Sequence, residues 1–274
     1  NSVLYEYSIK AEGLCNETSV FSNVVSSLGF KSPTAVVSGK VTYKDDNPTK
    51  GVTITAESTE LPNFSSIRLN GSNAYMEIDG LAASLQDFTF QAYVLFESTS
   101  DAAIFNRGSQ YKLNYSSNAL VFSVGGNSLS LAYTPPVDTF VHITTVYDGS
   151  SSFIYINGEL KASKTGVATP ASSNVSFVLG REGSSKYFNG YIDEIRLWNT
   201  NLDSSYIATY FDKYIAGNEN GLMGYYRLNE NVDIDLFFDV SRTGNGFNEK
   251  HGVMFNCSYA NINPTIEQLW FKAV

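Results

Sequence analysis

The stretch Phe188-Asn189-Gly190-Tyr191-Ile192-Asp193-Glu194-Ile195-Arg196-Leu197-Trp198-Asn199 decides how the chain is read. Ile192, Ile195 and Leu197 are apolar, β-favouring residues behind a glycine turn, so the segment predicts a strand. Asp193-Glu194 interrupt its alternation. Paired acids among apolar neighbours call for a bulge, a sheet edge or a cation.

Downstream lies the one strong helical pattern, predicted over Asp203 to Ala216. Asp203 is placed to cap it and Gly217 to end it. Tyr206, Ile207, Tyr210, Phe211 and Tyr214 share one face at helical spacing and predict packing on a sheet. Upstream, strand and turn signals alternate. Ser66–Leu69, Ala74–Ile78, Phe88–Phe96, Tyr111–Tyr115, Ala119–Val124, Phe140–Tyr147, Phe153–Ile156 and Ser176–Gly180 predict strands. Asn157-Gly158 marks a tight hairpin. Strands resume at Gly221–Glu230 and His251–Phe255. Short strands at regular spacing predict an all-β sandwich or jelly roll with one helix.

Composition narrows the class. Hydrophobic residues make up 43% and aromatics 14%, with 18 Tyr and 18 Phe, which suits packed sheets. The net charge of -9 argues against nucleic acid, whose phosphates need a basic surface. No apolar run spans a bilayer, so no membrane insertion is expected. Asn1-Ser2-Val3-Leu4-Tyr5 lacks the basic start and apolar core of a signal peptide, and the chain is read as a piece of a longer exported polypeptide. Cys15 and Cys257 form no disulfide framework, and a bridge between them is left open. Sequons at Asn16, Asn63, Asn70, Asn114, Asn174 and Asn256 are expected by chance in an Asn/Ser/Thr-rich chain.

Several segments, matching in order, resemble the laminin-G-like branch of the concanavalin A-like lectin/glucanase superfamily. Leu69-Asn70-Gly71-Ser72-Asn73-Ala74-Tyr75 is similar to its opening turn. Thr89-Phe90-Gln91-Ala92-Tyr93-Val94 is similar to its aromatic strand, with Tyr93 where Trp is usual. Thr139-Phe140-Val141-His142-Ile143, Val146-Tyr147-Asp148-Gly149, Tyr155-Ile156-Asn157-Gly158 and Gly190–Asn199 complete the set. The resemblance implies an all-β, concanavalin A-like jelly-roll sandwich over residues 59–262. Residues 1–33 resemble the tail of a fibronectin type III module, with strands over Tyr5–Ala11 and Val20–Val25. Residues 34–58 resemble the opening hairpin of a carboxypeptidase regulatory-like sandwich. The jelly roll is expected to be inserted into that smaller sandwich. Residues 263–274 would resume its sheet, with strand 267–274 pairing with 36–43 or 51–56. Such interrupted modules resemble those of bacterial multi-module surface proteins.

Glucanases of the superfamily need two carboxylates about 5 Å apart on one strand face. Glu77-Ile78-Asp79-Gly80-Leu81-Ala82 is one acid short of that motif, with Leu81 and Ala82 at both places open to the second Glu. Asp193 and Glu194 are adjacent and point to opposite faces unless bulged. No catalytic residue is assigned. Two histidines and no zinc-spaced cysteines exclude a His-rich or zinc centre. Calcium is the expected cofactor, because Asp/Asn/Gly loops supply oxygen ligands. Its candidate ligands are Asp193 with Asn70, and Asp239 with Asn245. The alternative is that Asp239 and Asn245 cap turns and Asp193 accepts N–H bonds at a bulge. For a glycan, Tyr187, Phe188 and Trp198 are the candidate sugar-facing aromatics, core packing being the alternative for Trp198. The expected function is a non-catalytic binding or adhesion module of a secreted, cell-surface multidomain protein, with a glycan or extracellular protein as partner. The alternatives are a structural spacer and, more remotely, a glycoside hydrolase.

Overall fold

The computed structural model describes residues 3–7, 25–29, 65–81, 86–136, 138–229, 235–241 and 250–266. The chain divides into two compact units, Asn1–Leu61 with Trp270–Val274, and Pro62–Leu269. In the first unit, β1 (Val3–Tyr7) pairs antiparallel with β2 (Val25–Gly29). The first strand begins two residues earlier than the alternation predicts, and the second occupies Val25–Gly29. The regulatory-like hairpin and strand 267–274 lie outside the described residues.

The second unit begins with β3 (Ser66–Asn70), β4 (Tyr75–Ile78), β5 (Phe88–Phe96), β6 (Ala102–Arg107), β7 (Tyr111–Ser116), β8 (Ala119–Val124) and β9 (Asn127–Ala132). It continues through β10 (Val141–Tyr147), β11 (Ser151–Ile156), β12 (Glu159–Thr165), β13 (Phe177–Leu179), β14 (Arg181–Glu182), β15 (Lys186–Tyr187) and β16 (Asn189–Trp198). After α1 (Ser204–Tyr210) come β17 (Leu222–Tyr226), β18 (Leu236–Phe237), β19 (Gly252–Phe255) and β20 (Ser258–Ala260). Sheet I has the order β12-β11-β10-β5-β16-β3-β20, with β17 also beside β16; sheet II has the order β18-β19-β4-β13-β6-β7-β8-β9. Two antiparallel sheets face to face with one described helix make the jelly-roll sandwich the sequence predicts.

Turn chemistry sets several joints. Asn157 and Gly158 sit at φ 49° and 79°, the left-handed pair of a tight hairpin between β11 and β12. Ser117 and Asn118, at φ 52° and 59°, do the same between β7 and β8. Gly190 matters for another reason: a Cβ there would stand 2.1 Å from the Leu95 carbonyl oxygen. Only glycine lets β16 lie against β5 at that point.

The core lies between the sheets. Phe88 and Phe90 of sheet I interleave with Phe105, Tyr111 and Phe177 of sheet II, with Phe88–Tyr111 and Phe90–Phe105 centroids 4.4 Å apart. All five side chains are fully buried, and each contributes about 1.5–3 kcal/mol of transfer free energy. The two sheets differ in their burial pattern. Strands β5 and β10 are buried at every position, which means both faces of sheet I are covered. Strands β7 and β8 alternate strictly between buried and half-buried, so sheet II has one face open to water.

The predicted helix is shorter than its periodicity suggests. It ends at Tyr210, with Phe211 as its C-cap. Arg196 of β16 donates hydrogen bonds to the carbonyl oxygens of Tyr210 and Lys213. A strand guanidinium thus takes carbonyls that further helical turns would use. At the other end Asp203 behaves as predicted, accepting from the Tyr206 N–H at 2.8 Å. No described helix is long and apolar enough to cross a membrane. Cys257 is a free thiol whose Sγ–H donates to the Tyr75 carbonyl, and burial pushes its pKa up to about 12.

Candidate functional site

The acids that break the β16 pattern sit where that strand changes partner. One edge of β16 follows β5 along its whole length, with a register shift between Asp193 and Arg196. The other edge pairs with β3 over Asn189–Ile192 and with β17 over Ile195–Trp198. Asp193 and Glu194 fill the bulge between these pairings. Glu194 adopts φ 50°, and Asp193 Oδ1 accepts from the Glu194 N–H at 2.8 Å. The bulge keeps Ile192, Ile195 and Leu197 in the core and leaves Arg196 on the outer face of sheet I.

That outer face is polar and sealed. Glu194 and Arg196 have no exposed surface. The Tyr225 hydroxyl donates to Glu194 Oε2 at 2.6 Å, and the Arg196 and Arg227 guanidinium groups lie 3.7 and 3.5 Å from its carboxylate oxygens. Burial raises the Glu194 carboxyl above its ordinary value against the pull of Arg227 and Arg196. Burial also holds the Tyr225 hydroxyl well above its usual range, helped by Glu194. His142 stacks edge-on with Tyr93 at 4.9 Å; burial and the nearby Arg196 charge hold its imidazole well below the ordinary value, so it stays neutral. Through Arg196 these groups hold α1 and its following loop on the sheet.

Of the predicted calcium ligands, Asn70 and Asp193 stand apart. Asn70 lies opposite Asn189, four residues from Asp193 along β16, or about 13 Å at strand rise. Asn70 Oδ1 already accepts from the backbone N–H groups of Ser72, Asn73 and Ala74. Asp239 Oδ1 accepts from the Tyr225 and Ser241 N–H groups, and Oδ2 from that of Lys250. Asp239 therefore fastens three chain segments, as the turn-capping alternative predicts. Asn245 lies outside the described residues. Among those residues, no three His, Cys, Asp or Glu side chains are grouped to hold a metal.

The predicted aromatic rim also needs correction. Phe188 and Trp198 are each only 1% exposed. Phe188 packs between the sheets, while Trp198 lies under α1 with its Nε1–H on Gln91 Oε1 at 3.1 Å. Neither can offer a ring to a sugar. Tyr187 alone is half-buried at the surface. Adjacent strand residues face opposite ways, so Tyr187 and Phe188 do not form one rim.

What the structure brings together instead is the open face of sheet II. Cross-strand register lines up Leu236, Val253, Glu77, Val178, Asn106, Lys112, Ser123 and Ser128 in one row across all eight strands. None of these side chains is buried. In the next row Tyr75 stacks on Phe255, with centroids 4.4 Å apart and planes 8° apart. Arg181 lies over the Tyr75 ring at 3.5 Å. Phe255 occupies one face of the tyrosine, so the guanidinium takes the other. Arg181 belongs to the β14–β15 hairpin, which folds back on this face and places Tyr187 opposite it. Glu182 anchors the hairpin: Lys112 and Lys186 lie 2.5 and 3.0 Å from its oxygens, and Asn114 donates at 3.0 Å. Burial alone would raise the Glu182 pKa, but these hydrogen bonds prevail and hold it at about 2. Tyr75 and Phe255 were findable from the alternation of Tyr75–Ile78 and Gly252–Phe255, whose inward residues are Met76, Ile78 and Met254.

The fold has relatives. A family described as the concanavalin A-like lectin/glucanases superfamily matches residues 70–208. A Bacteroides ovatus protein, provisionally named as carbohydrate binding, superposes with a TM-score of 0.60 at 16% identity, over 81% of this chain and 67% of its own. A heptameric SAP-like pentraxin from Limulus polyphemus gives 0.47 at 15% identity, covering 54% of this chain and 81% of its own. Domains LG4-5 of the mouse laminin alpha1 chain give 0.41 at 14% identity, covering 57% and 46%. No curated protein matches the chain. At such identities the likeness is one of fold. The chain belongs to the concanavalin A-like lectin/glucanases superfamily.

Proposed function

We propose that this chain is a non-catalytic binding module that recognises glycan on the open face of sheet II. The observation that carries this reading is the Phe255–Tyr75–Arg181 stack beside a surface row that includes Glu77, Asn106, Lys112 and Ser123. The free face of Phe255, which Tyr75 holds from behind, takes the apolar side of a sugar ring, and nearby amides and charges meet its hydroxyls. The Bacteroides ovatus relative, named for carbohydrate binding, shares the fold and supports the reading. A non-catalytic role fits the placement of the acids. Asp193 and Glu194 are sealed beneath Tyr225 and Arg196, and Leu81 stands where a second motif acid would be. The module is assigned to adhesion by a secreted, cell-surface multidomain protein, in line with its flanking segments and its acidic, weakly charged composition.

A glycan array probed with the 274-residue chain tests this. Saturable binding that weakens when Phe255 and Tyr75 are changed to Ala, with the fold intact by circular dichroism, is the expected outcome. Silence across the array would favour a structural spacer. Release of reducing sugar would establish a hydrolase instead.

A further inference from the structure

We propose that the Arg181 guanidinium, seated on the Tyr75 ring, receives the carboxylate of an acidic sugar, so that this face selects uronate-bearing glycans over neutral ones. The inference rests on the reading above that the face binds glycan.

Arg181 is held in place and left unused. Its guanidinium lies 3.5 Å over Tyr75, and Asn106 fixes its backbone by donating to the Arg181 carbonyl at 3.3 Å. Among the described residues the guanidinium has no hydrogen-bond or ion-pair partner. The nearest carboxylate in sequence, Glu182, is taken by Lys112, Lys186 and Asn114. Glu77 stands in the neighbouring row, between Val253 and Val178. Lys112 and Lys186 are thus taken by Glu182, and Lys186 also acts on Asp101, so Arg181 is the hairpin cation left for an incoming anion.

The geometry favours a carboxylate. A guanidinium is a planar fork that pairs with a carboxylate through two parallel hydrogen bonds. Stacking on Tyr75 fixes its plane before a ligand arrives, which lowers the ordering cost of binding. Tyr187, opposite Arg181 in the hairpin, supplies apolar surface for the sugar ring that carries the acid.

The test titrates the 274-residue chain with polygalacturonate, alginate and hyaluronan, each beside its carboxyl-reduced, neutral form. At least one acidic polymer is expected to bind, with affinity falling about tenfold or more on reduction and falling again at high salt. Arg181→Ala should weaken that binding about tenfold or more while leaving the melting temperature unchanged, and Arg181→Lys, which keeps charge but loses the fork, should recover only part. Equal binding of the reduced polymers, or an unchanged Arg181→Ala variant, would overturn the inference. If the acidic polymers fail and neutral glycans on the array bind, the inference falls and the glycan-binding function stands. If no saccharide binds at all, both fall.

Discussion

On the outer face of sheet I, Gln91, His142, Glu194, Arg196 and Trp198 lie beneath α1 and the loop that follows it. On the outer face of sheet II, Glu77, Asn106, Lys112 and Asn114 stay at the surface beside Tyr75 and Phe255. Both faces carry charge, amides and aromatic rings. What separates them is whether the polar groups are buried beneath other elements or left at the surface. Glu194 is met by a tyrosine and two arginines in a dry site, where each charge is tolerable only because the others are present. Arg181 is met by a ring on one side and left open on the other. A polar cluster buried against the protein is a fastening; a cation held in place at the surface can receive a ligand.

That contrast predicts unequal responses to mutation. Gly190→Ala should have the largest effect, about 4 kcal/mol or more, because the new Cβ would meet the Leu95 carbonyl and push β16 off β5. Loss of a cooperative thermal transition or of soluble protein checks it. Glu194→Ala comes next, at about 3–5 kcal/mol, since it leaves Arg196 buried without its counter-charge. A cost below about 1 kcal/mol in a denaturant melt would mean the cluster is wet and the contrast between the faces is wrong.

The pH dependence differs in the same way. His142 is held neutral, with a folded pKa below its unfolded one. Unfolding therefore takes up a proton once pH drops below about 6.5, and stability falls by up to about 1.4 kcal/mol per pH unit on the acid side. His142→Phe should flatten that slope. Glu182 acts at lower pH. Its folded value of about 2 lies below the ordinary 4.5, so its stabilisation is present above the unfolded pKa and is lost as pH falls from 4.5 toward 2. Lys112→Met removes one partner of this half-exposed cluster and should cost only about 0.2–1 kcal/mol. A larger cost would assign sheet II a fastening role as well.

Most of the sandwich was legible in the sequence, for physical reasons that differ by strand. Tyr111–Ser116 and Ala119–Val124 alternate because one face is wet, and their pattern reads directly. Asn157-Gly158 reads directly because few residue pairs accept two left-handed conformations. Ala102–Arg107 gives no clean period, since its first four residues are all buried. Asn127–Ala132 is an edge strand whose alternation rests on Leu129 and Leu131 alone, too short a run to stand out. The aromatic stripe continues past Tyr210 and so overstates the helix, and nothing local reveals that Arg196 takes the terminal carbonyls.

The site was less legible than the fold. The bulge at Asp193-Glu194 follows from the adjacency of two acids, but their partners Arg227 and Tyr225 come from a distant strand and its flank. An acid in an Asp/Asn/Gly loop reads equally as a cation ligand or a turn cap, and Asp239 accepts backbone N–H groups from chain segments that only the fold brings together. The Phe255–Tyr75–Arg181 stack joins residues from three separate segments. Only the register of sheet II brings them together.

The central claim is that the open face of sheet II receives the ligand and the sealed face of sheet I does not. Hydrogen–deuterium exchange with and without a bound acidic polysaccharide tests it most directly. The account predicts added protection over 75–78, 111–116 and 181–187, with residues 203–217 unchanged. Protection confined to 203–217, over the helix and its following loop, would contradict it.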